Sequence, residues 1–214
     1  MNLPDRIRPK RWADVIGQVD AIGKLTLIRT TCGCLRGRAY WLDGPSGVGK
    51  STIAELIAAE VTEPWAVTRL DALALTPARL REIDRDSSQR PLGRGYCYVV
   101  NEAQGLTREA IEQLLTMLDH PRQWITWIFT TMPKGQQRIA DMEDGSALVD
   151  RCTRLPLRAE PVSAAIPLQR IAQGLHLDGR PLADYVRLIE RCHGSIRAAL
   201  QAIECGEMMV KGPT

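Results

Sequence analysis

Aromatic side chains are scarce in this chain: one Phe, five Trp and four Tyr make up 5% of 214 residues. They are spread along the sequence, which excludes a base-stacking platform and leaves them as core or interface residues. Histidine is scarcer still, with only His120, His176 and His193. The six cysteines (Cys32, Cys34, Cys97, Cys152, Cys192 and Cys205) include no C-x-x-C pair and have no histidine at finger spacing. Neither zinc nor a disulfide framework is expected, and reduced thiols suit a cytoplasmic protein. Long apolar runs are missing as well. Stretches such as Leu56-Ile57-Ala58-Ala59 fall far short of the roughly 20 residues that span a bilayer. The opening Met1-Asn2-Leu3-Pro4-Asp5-Arg6 has no apolar signal-peptide core. The expectation is a cytoplasmic chain with no membrane partner.

No sign of charge dominates: 28 basic and 25 acidic residues give a net +3. The distribution is uneven, with nine basic and four acidic residues over 1–50, ten and fifteen over 51–150, and nine and six over 151–214. So small a sum does not announce nucleic acid, and any DNA contact would use a local face or a ring. With 44% hydrophobic and 25% charged residues, the chain can bury a core and is not disordered. Its length allows one domain or one and a half.

Gly37–Asp43 reads as a short buried strand. It runs into Gly44-Pro45-Ser46-Gly47-Val48-Gly49-Lys50-Ser51 and then a helix from Thr52 to Val61, with Ile53, Leu56, Ile57 and Ala58 at helical spacing. The loop matches G-x-x-x-x-G-K-S. Its glycines let backbone N–H groups curl around an anion, Lys50 supplies a charge for the outer phosphates, and Ser51 offers a hydroxyl to Mg²⁺. The helix start adds its positive end. Further strands are expected at Trp65–Asp71, Tyr96–Val100, Trp124–Thr131 and Arg154–Leu157. Helices are expected from Thr76-Pro77 through Asp84 and from Thr107 to Leu118. This alternation predicts an α/β P-loop fold: a parallel five-stranded sheet with helices on both faces. After Pro161 only helices are expected (Ile166–Leu175, Pro181–Cys192, Ser195–Ile203). The division is a P-loop domain over 1–159 and a small all-α lid over 160–214.

Asn101-Glu102 ends a strand where a P-loop enzyme needs one acid for Mg²⁺ and a neighbour to activate water. Glu102 can polarise water; Asn101 can orient a metal-bound water but carries no charge. Two readings stay open at this point, a slow ATPase or a subunit that binds nucleotide without turnover.

Together these residues resemble the AAA+ ATPases, and among them the clamp-loader subunits of the replication-factor-C and bacterial gamma type. Arg8-Pro9-Lys10-Arg11-Trp12-Ala13-Asp14-Val15-Ile16-Gly17-Gln18 is similar to the family's N-terminal segment over the adenine. Gly44–Ser51 is similar to its Walker A loop. Asn101-Glu102-Ala103-Gln104-Gly105-Leu106-Thr107 resembles Walker B, with Asn for the first Asp. Thr131 falls at sensor 1. Asp150-Arg151-Cys152 resembles the clamp-loader S-R-C motif, and Gly194-Ser195-Ile196-Arg197-Ala198-Ala199-Leu200 the sensor 2 helix.

The resemblance implies ATP and Mg²⁺ as ligands. It implies nucleotide contacts from Arg8, Val15, Ile16, Gly44 to Thr52 and Arg197, a metal held by Ser51 and Asn101, and catalysis by Lys50, Glu102, Thr131 and Arg151. Arg151 would act as a finger on a neighbouring subunit, so the partners are copies of this chain or homologous subunits in a ring or spiral. The alternatives are a surface Arg151 paired with Asp150, an Arg197 on a solvated helix face, and a Thr131 that merely ends a strand. DNA would meet helix N-termini near Thr76, Arg79, Thr107 and Arg108; plain caps with solvated arginines are the other reading. The implied function is an ATP-dependent AAA+ protein of DNA replication, resembling a clamp-loader subunit without the helical collar and engaging a sliding clamp or replicative helicase. A helicase loader, a branch-migration-type motor and a non-hydrolysing scaffold remain as alternatives.

Overall fold

A computed structural model describes residues 2–133, 135, 139 and 144–209. These form two compact units. One comprises Gly23–Gly44 and Ile53–Pro156, the other Met1–Ile22, Pro45–Thr52 and Leu157–Thr214.

The first unit is built on β1 (Ala39–Asp43), β2 (Val67–Asp71), β3 (Tyr96–Asn101), β4 (Ile125–Thr131) and β5 (Thr153–Pro156). All neighbours are parallel, in the order β2-β3-β4-β1-β5. Strand residues alternate between faces. Trp41, Tyr98, Val100, Trp127 and Phe129 join one buried cluster with α4 (Pro77–Asp86), α5 (Arg108–Asp119) and α6 (Gly145–Asp150). The intervening Tyr40, Leu42, Cys97, Val99 and Ile128 are outside that cluster but equally buried. Both faces are therefore covered, as a parallel sheet requires. Four of the ten aromatic residues meet in a row on the first face. Trp41 and Phe129 lie 5.6 Å apart and Tyr98 stacks on Trp127 at 4.7 Å. On the chain between these strands lie α2 (Val19–Cys32) and α3 (Lys50–Val61), joined by the Arg29–Glu60 ion pair at 2.8 Å.

The second unit gathers α1 (Leu3–Arg6) and the lid helices α7 (Pro161–Gly174), α8 (Leu182–Arg191) and α9 (Ile196–Glu204). Its core joins Leu3 and Ile16 to Leu168, Tyr185, Leu188, Ile189 and Ile203. Leu3 N donates to Glu204 Oε1 at 3.0 Å.

The five strands and the helical end match the expected α/β P-loop class; several boundaries differ. Pro64 opens a 3-10 turn over Pro64–Ala66, which removes Trp65 from β2 and leaves it exposed. Gly37 adopts φ 74°, and a Cβ there would lie 2.8 Å from Gln123 O, so the strand begins two residues later. The first lid helix starts at Pro161, not Ile166. Glu160 caps it by accepting from Val162 N and Ser163 N. Pro167 sits inside the helix, and the buried Ala164, Ala165, Leu168 and Ala172 hold the turn that it weakens. The helix α2 has no counterpart among the sequence-based expectations. No helix among the described residues is long and apolar enough to cross a membrane. All six cysteines are free, and among the described residues no three His, Cys, Asp or Glu side chains cluster as metal ligands.

A phosphate loop and a row of strand-end side chains

The loop Gly44–Gly49 connects β1 to α3, whose first turn carries Lys50, Ser51 and Thr52. Gly47 has φ 77° and Gly49 φ 113°, values that L side chains rarely adopt. A Cβ on Gly47 would lie 2.2 Å from Ser195 Oγ and 3.1 Å from Arg197 Cβ, whereas one on Gly49 would meet nothing within 4 Å. The loop is thus closed on the Gly47 side and open at Gly49. Val48 is buried, Gly44 is buried, Pro45 is half-buried, and Ser46 and Ser51 are exposed. Lys50 Nζ donates to Pro45 O at 2.9 Å. These residues fit a nucleotide polyphosphate: backbone amides, a lysine ammonium, a hydroxyl and a helix N-terminus at one bend of the chain.

Two elements hold the loop in its own unit. Arg197 N, at the start of α9, donates to Gly47 O at 3.2 Å. Ser195 caps that helix by accepting from Ala198 N. The Arg197 side chain is exposed, with its backbone against the loop. Gln18 is the second clasp. It is 3% exposed; its Nε2 donates to Val48 O at 3.1 Å, and its Oε1 accepts from Arg158 N at 3.2 Å. Just before it, Ile16 is buried in the lid-side core, Val15 is half-buried and Arg8 is exposed. Gly17, at φ 70°, permits this approach, because a Cβ there would lie 2.9 Å from Ala164 Cβ. The sequence motifs give Gln18 and Ser195 no role of their own. A buried amide with two backbone partners becomes visible only in three dimensions.

The other residues stand at the strand ends of the first unit. Asn101 closes β3, and its Oδ1 accepts from Thr130 Oγ1 at 3.4 Å. Glu102 follows in the left-handed region at φ 55° and is exposed. A 3-10 turn over Ala103–Gly105 then folds Gln104 back, and Gln104 Nε2 donates to Glu102 Oε2. Thr131, 1% exposed at the end of β4, donates to Gln104 Oε1 at 2.9 Å. Glu102 and Thr131 are brought together with Gln104 as the link, while Asn101 meets the neighbouring Thr130.

Arg151 caps α6 and is exposed. Its ion-pair partner is Asp119 of α5, Nε to Oδ1 at 2.6 Å, and not the adjacent Asp150. The Asp119 carboxyl is held below its ordinary range, first by this hydrogen bond. Cys152 is turned inward, donates from Sγ to Leu148 O, and is pushed up to about 12 by burial. It anchors the end of α6 while Arg151 faces out.

Thr76 and Thr107 each cap a helix: Thr76 Oγ1 accepts from Arg79 N and Thr107 Oγ1 from Ala110 N, both at 3.3 Å. Arg79 pairs with Glu82 and Arg108 with Glu112. Exposed pairs of this kind are weak. Both helices begin where the parallel strands end, so their N-termini share one edge of the sheet.

No protein-family model matches the chain, and no curated protein matches it in sequence. Solved structures do. Thermotoga maritima RuvB, a Holliday junction branch migration motor, superposes with a TM-score of 0.67 at 22% identity over 92% of this chain and 64% of that one. A Lys-to-Arg variant of the same protein gives 0.69 at 21% over 93% and 65%, and an Arg-to-Ala variant 0.68 at 22% over 92% and 64%. The chain spans less than two thirds of the length of these structures. What they share with it is the fold, which in this chain is a parallel five-stranded α/β P-loop sheet with a helical addition.

Proposed function

We propose that this chain binds ATP with Mg²⁺, hydrolyses it, and uses the cycle to act on DNA as one subunit of a ring or spiral, in the manner of a branch-migration motor. The carrying observation is the hydrogen bond from Arg197 N to Gly47 O, with Ser195 against the same glycine. It ties a lid helix directly to the phosphate loop, so a change at the loop is felt by the lid. The likeness in fold to a Holliday junction motor supports DNA as the object of the work.

In this reading the loop amides and Lys50 bind the phosphates, and Ser51 and Asn101 hold the metal. The metal, when bound, supplies charge compensation between the outer phosphates. Glu102 orients a water molecule and takes its proton as the water oxygen bonds to the terminal phosphorus and the bond to the bridging oxygen breaks. Thr131 acts on the terminal phosphoryl from the end of β4 through Glu102 and the water that it orients, and Arg197 reports on it from the lid. Arg8, Val15 and Ile16 border the base. Arg151 leaves Asp119 to offset charge on a neighbouring subunit's nucleotide. Asn101 in place of an acid makes turnover slow. The helix N-termini at Thr76, Arg79, Thr107 and Arg108 track the DNA backbone. The division at 159/160 separates the strand-bearing part from the helical lid.

A second reading, a clamp-loader-type subunit of replication, is favoured by Asp150-Arg151-Cys152, with Arg151 outward and Cys152 buried. Its partner would be a sliding clamp or, for a helicase loader, a replicative helicase. The test is ATP turnover with and without branched DNA, and with mixtures of Arg151→Ala and Glu102→Gln proteins. Each variant alone is expected to be inactive while still binding ATP. Mixing restores part of the activity, because an intact Glu102 site meets an intact Arg151. No rescue at any ratio removes Arg151 from the site. Turnover stimulated by a clamp instead of branched DNA favours the second reading.

A further inference from the structure

We propose that Gln104 is a positioning residue for Glu102, with Thr131 as its anchor. The inference rests on the reading of Glu102 as the residue that orients water. Gln104 lies two residues beyond Glu102 on the 3-10 turn, closed by Gly105 N donating to Glu102 O at 2.7 Å. Its amide touches both side chains: Nε2 donates to Glu102 Oε2, and Oε1 accepts from Thr131 Oγ1 at 2.9 Å.

The direction of this relay follows from donor chemistry. An ionised carboxylate only accepts, so the NH₂ end of the amide must face Glu102 and its oxygen must face Thr131. Thr131 has a single hydroxyl hydrogen. The Gln104 oxygen is nearer than its other acceptor, Met132 O at 3.3 Å. Thr131 is 1% exposed at the end of the fully buried β4, so the anchor is rigid. Glu102 is exposed and starts from a left-handed backbone. Among the described residues, Gln104 is the side chain whose contact fixes which way this carboxylate points.

Gly135 shapes the same arrangement from outside. A Cβ at this position would lie 2.7 Å from Gln104 Cβ and 2.8 Å from Cγ and Cδ. The contact falls on the stem of the Gln104 side chain, which cannot swing away as a flexible tip can. A methyl group at 135 displaces Gln104, whose atoms are the nearest to it.

The test uses the full chain. Gln104→Leu keeps the volume and removes both hydrogen bonds. It is expected to lower kcat about tenfold, the scale of one lost hydrogen bond to a charged group, while KM for ATP and the melting temperature stay at native values. Gly135→Ala should do the same to a lesser degree. Thr131→Val combined with Gln104→Leu should cost no more than the worse single variant, because both act on one relay. In parallel, the Gln104 side-chain amide resonances should shift in Thr131→Val and in Glu102→Ala. Native kcat in Gln104→Leu, fully additive losses in the double variant, or an amide resonance that moves in neither variant overturns the proposal. A native protein that binds ATP but shows no turnover sinks the hydrolytic reading instead; the amide resonances then still decide whether the bridge exists.

Discussion

The phosphate loop and the strand-end row are held by different means. At the loop, the partners of Gly47 and Val48 reach backbone carbonyls, and two glycines adopt conformations closed to other residues. At the strand ends, Gln104 joins Glu102 to Thr131, and Thr130 meets Asn101, through side-chain atoms. Geometry held by backbone restricts residue identity severely at a few positions. Geometry held by side chains allows an Asn where an Asp is usual, provided that neighbours supply the missing contacts.

The largest effect that separates the two regions is expected at Gly47. Gly47→Ala combines a positive φ with a Cβ 2.2 Å from Ser195 Oγ. It should destabilise the fold by about 2 kcal/mol and abolish ATP binding, read by chemical denaturation and calorimetric titration. Unchanged affinity would mean that side chains, not backbone, hold the loop. A smaller effect is expected at Asn101. Asn101→Asp replaces a dipole by a full charge, and charge-assisted contacts are roughly twice as strong. ATPase activity titrated over Mg²⁺ should half-saturate at lower metal, with higher turnover. Coincident curves would show that the amide already serves.

The smallest effect lies in the lid. Tyr185 donates from its buried hydroxyl to Asp178 Oδ1 at 2.8 Å. Desolvation opposes ionisation of Asp178. The hydrogen bonds from Tyr185, Gln173 and the amides of Gly179 and Arg180 outweigh it and hold the carboxyl below its ordinary value. A depressed carboxyl stabilises the fold above its unfolded pKa, near 3.9, and loses that contribution as pH falls through the folded value. Tyr185→Phe should cost about 1 kcal/mol at pH 7, with the gap to native closing below about pH 4. A gap constant with pH would mean that packing, not the hydrogen bond, carries the loss.

The same contrast explains what could be read from the sequence. Gly44–Ser51 was legible because glycine and lysine at fixed spacing are the physical requirement of the loop. The central strands β1, β3 and β4 were legible because buried parallel strands are continuous apolar runs. The helix α2 was not: Gly23, Thr26, Ile28, Thr30 and Thr31 are poor helix formers, and few of its residues are buried. The early start of α7 was not legible either: a proline inside the helix disfavours it, and the burial that overrides Pro167 lies in the tertiary packing. The pairing of Arg151 with Asp119, 32 residues away, and the place of Gln104 between Glu102 and Thr131 depend on which strands are neighbours. Spacing alone carries no sign of them.

The clasp of Gln18 has a consequence for the order in which the protein comes into being. A chain made from its N-terminus exposes Gln18 early, and Val48 thirty residues later, but the third partner, Arg158, is 140 residues away. Arg197 and Ser195, which brace Gly47, come later still. The sheet can begin to assemble while the loop waits. Contacts so distant along the chain form slowly, and the loop cannot be braced before α9 has been made. A partly made chain therefore cannot compete with finished copies for the ligand of that loop.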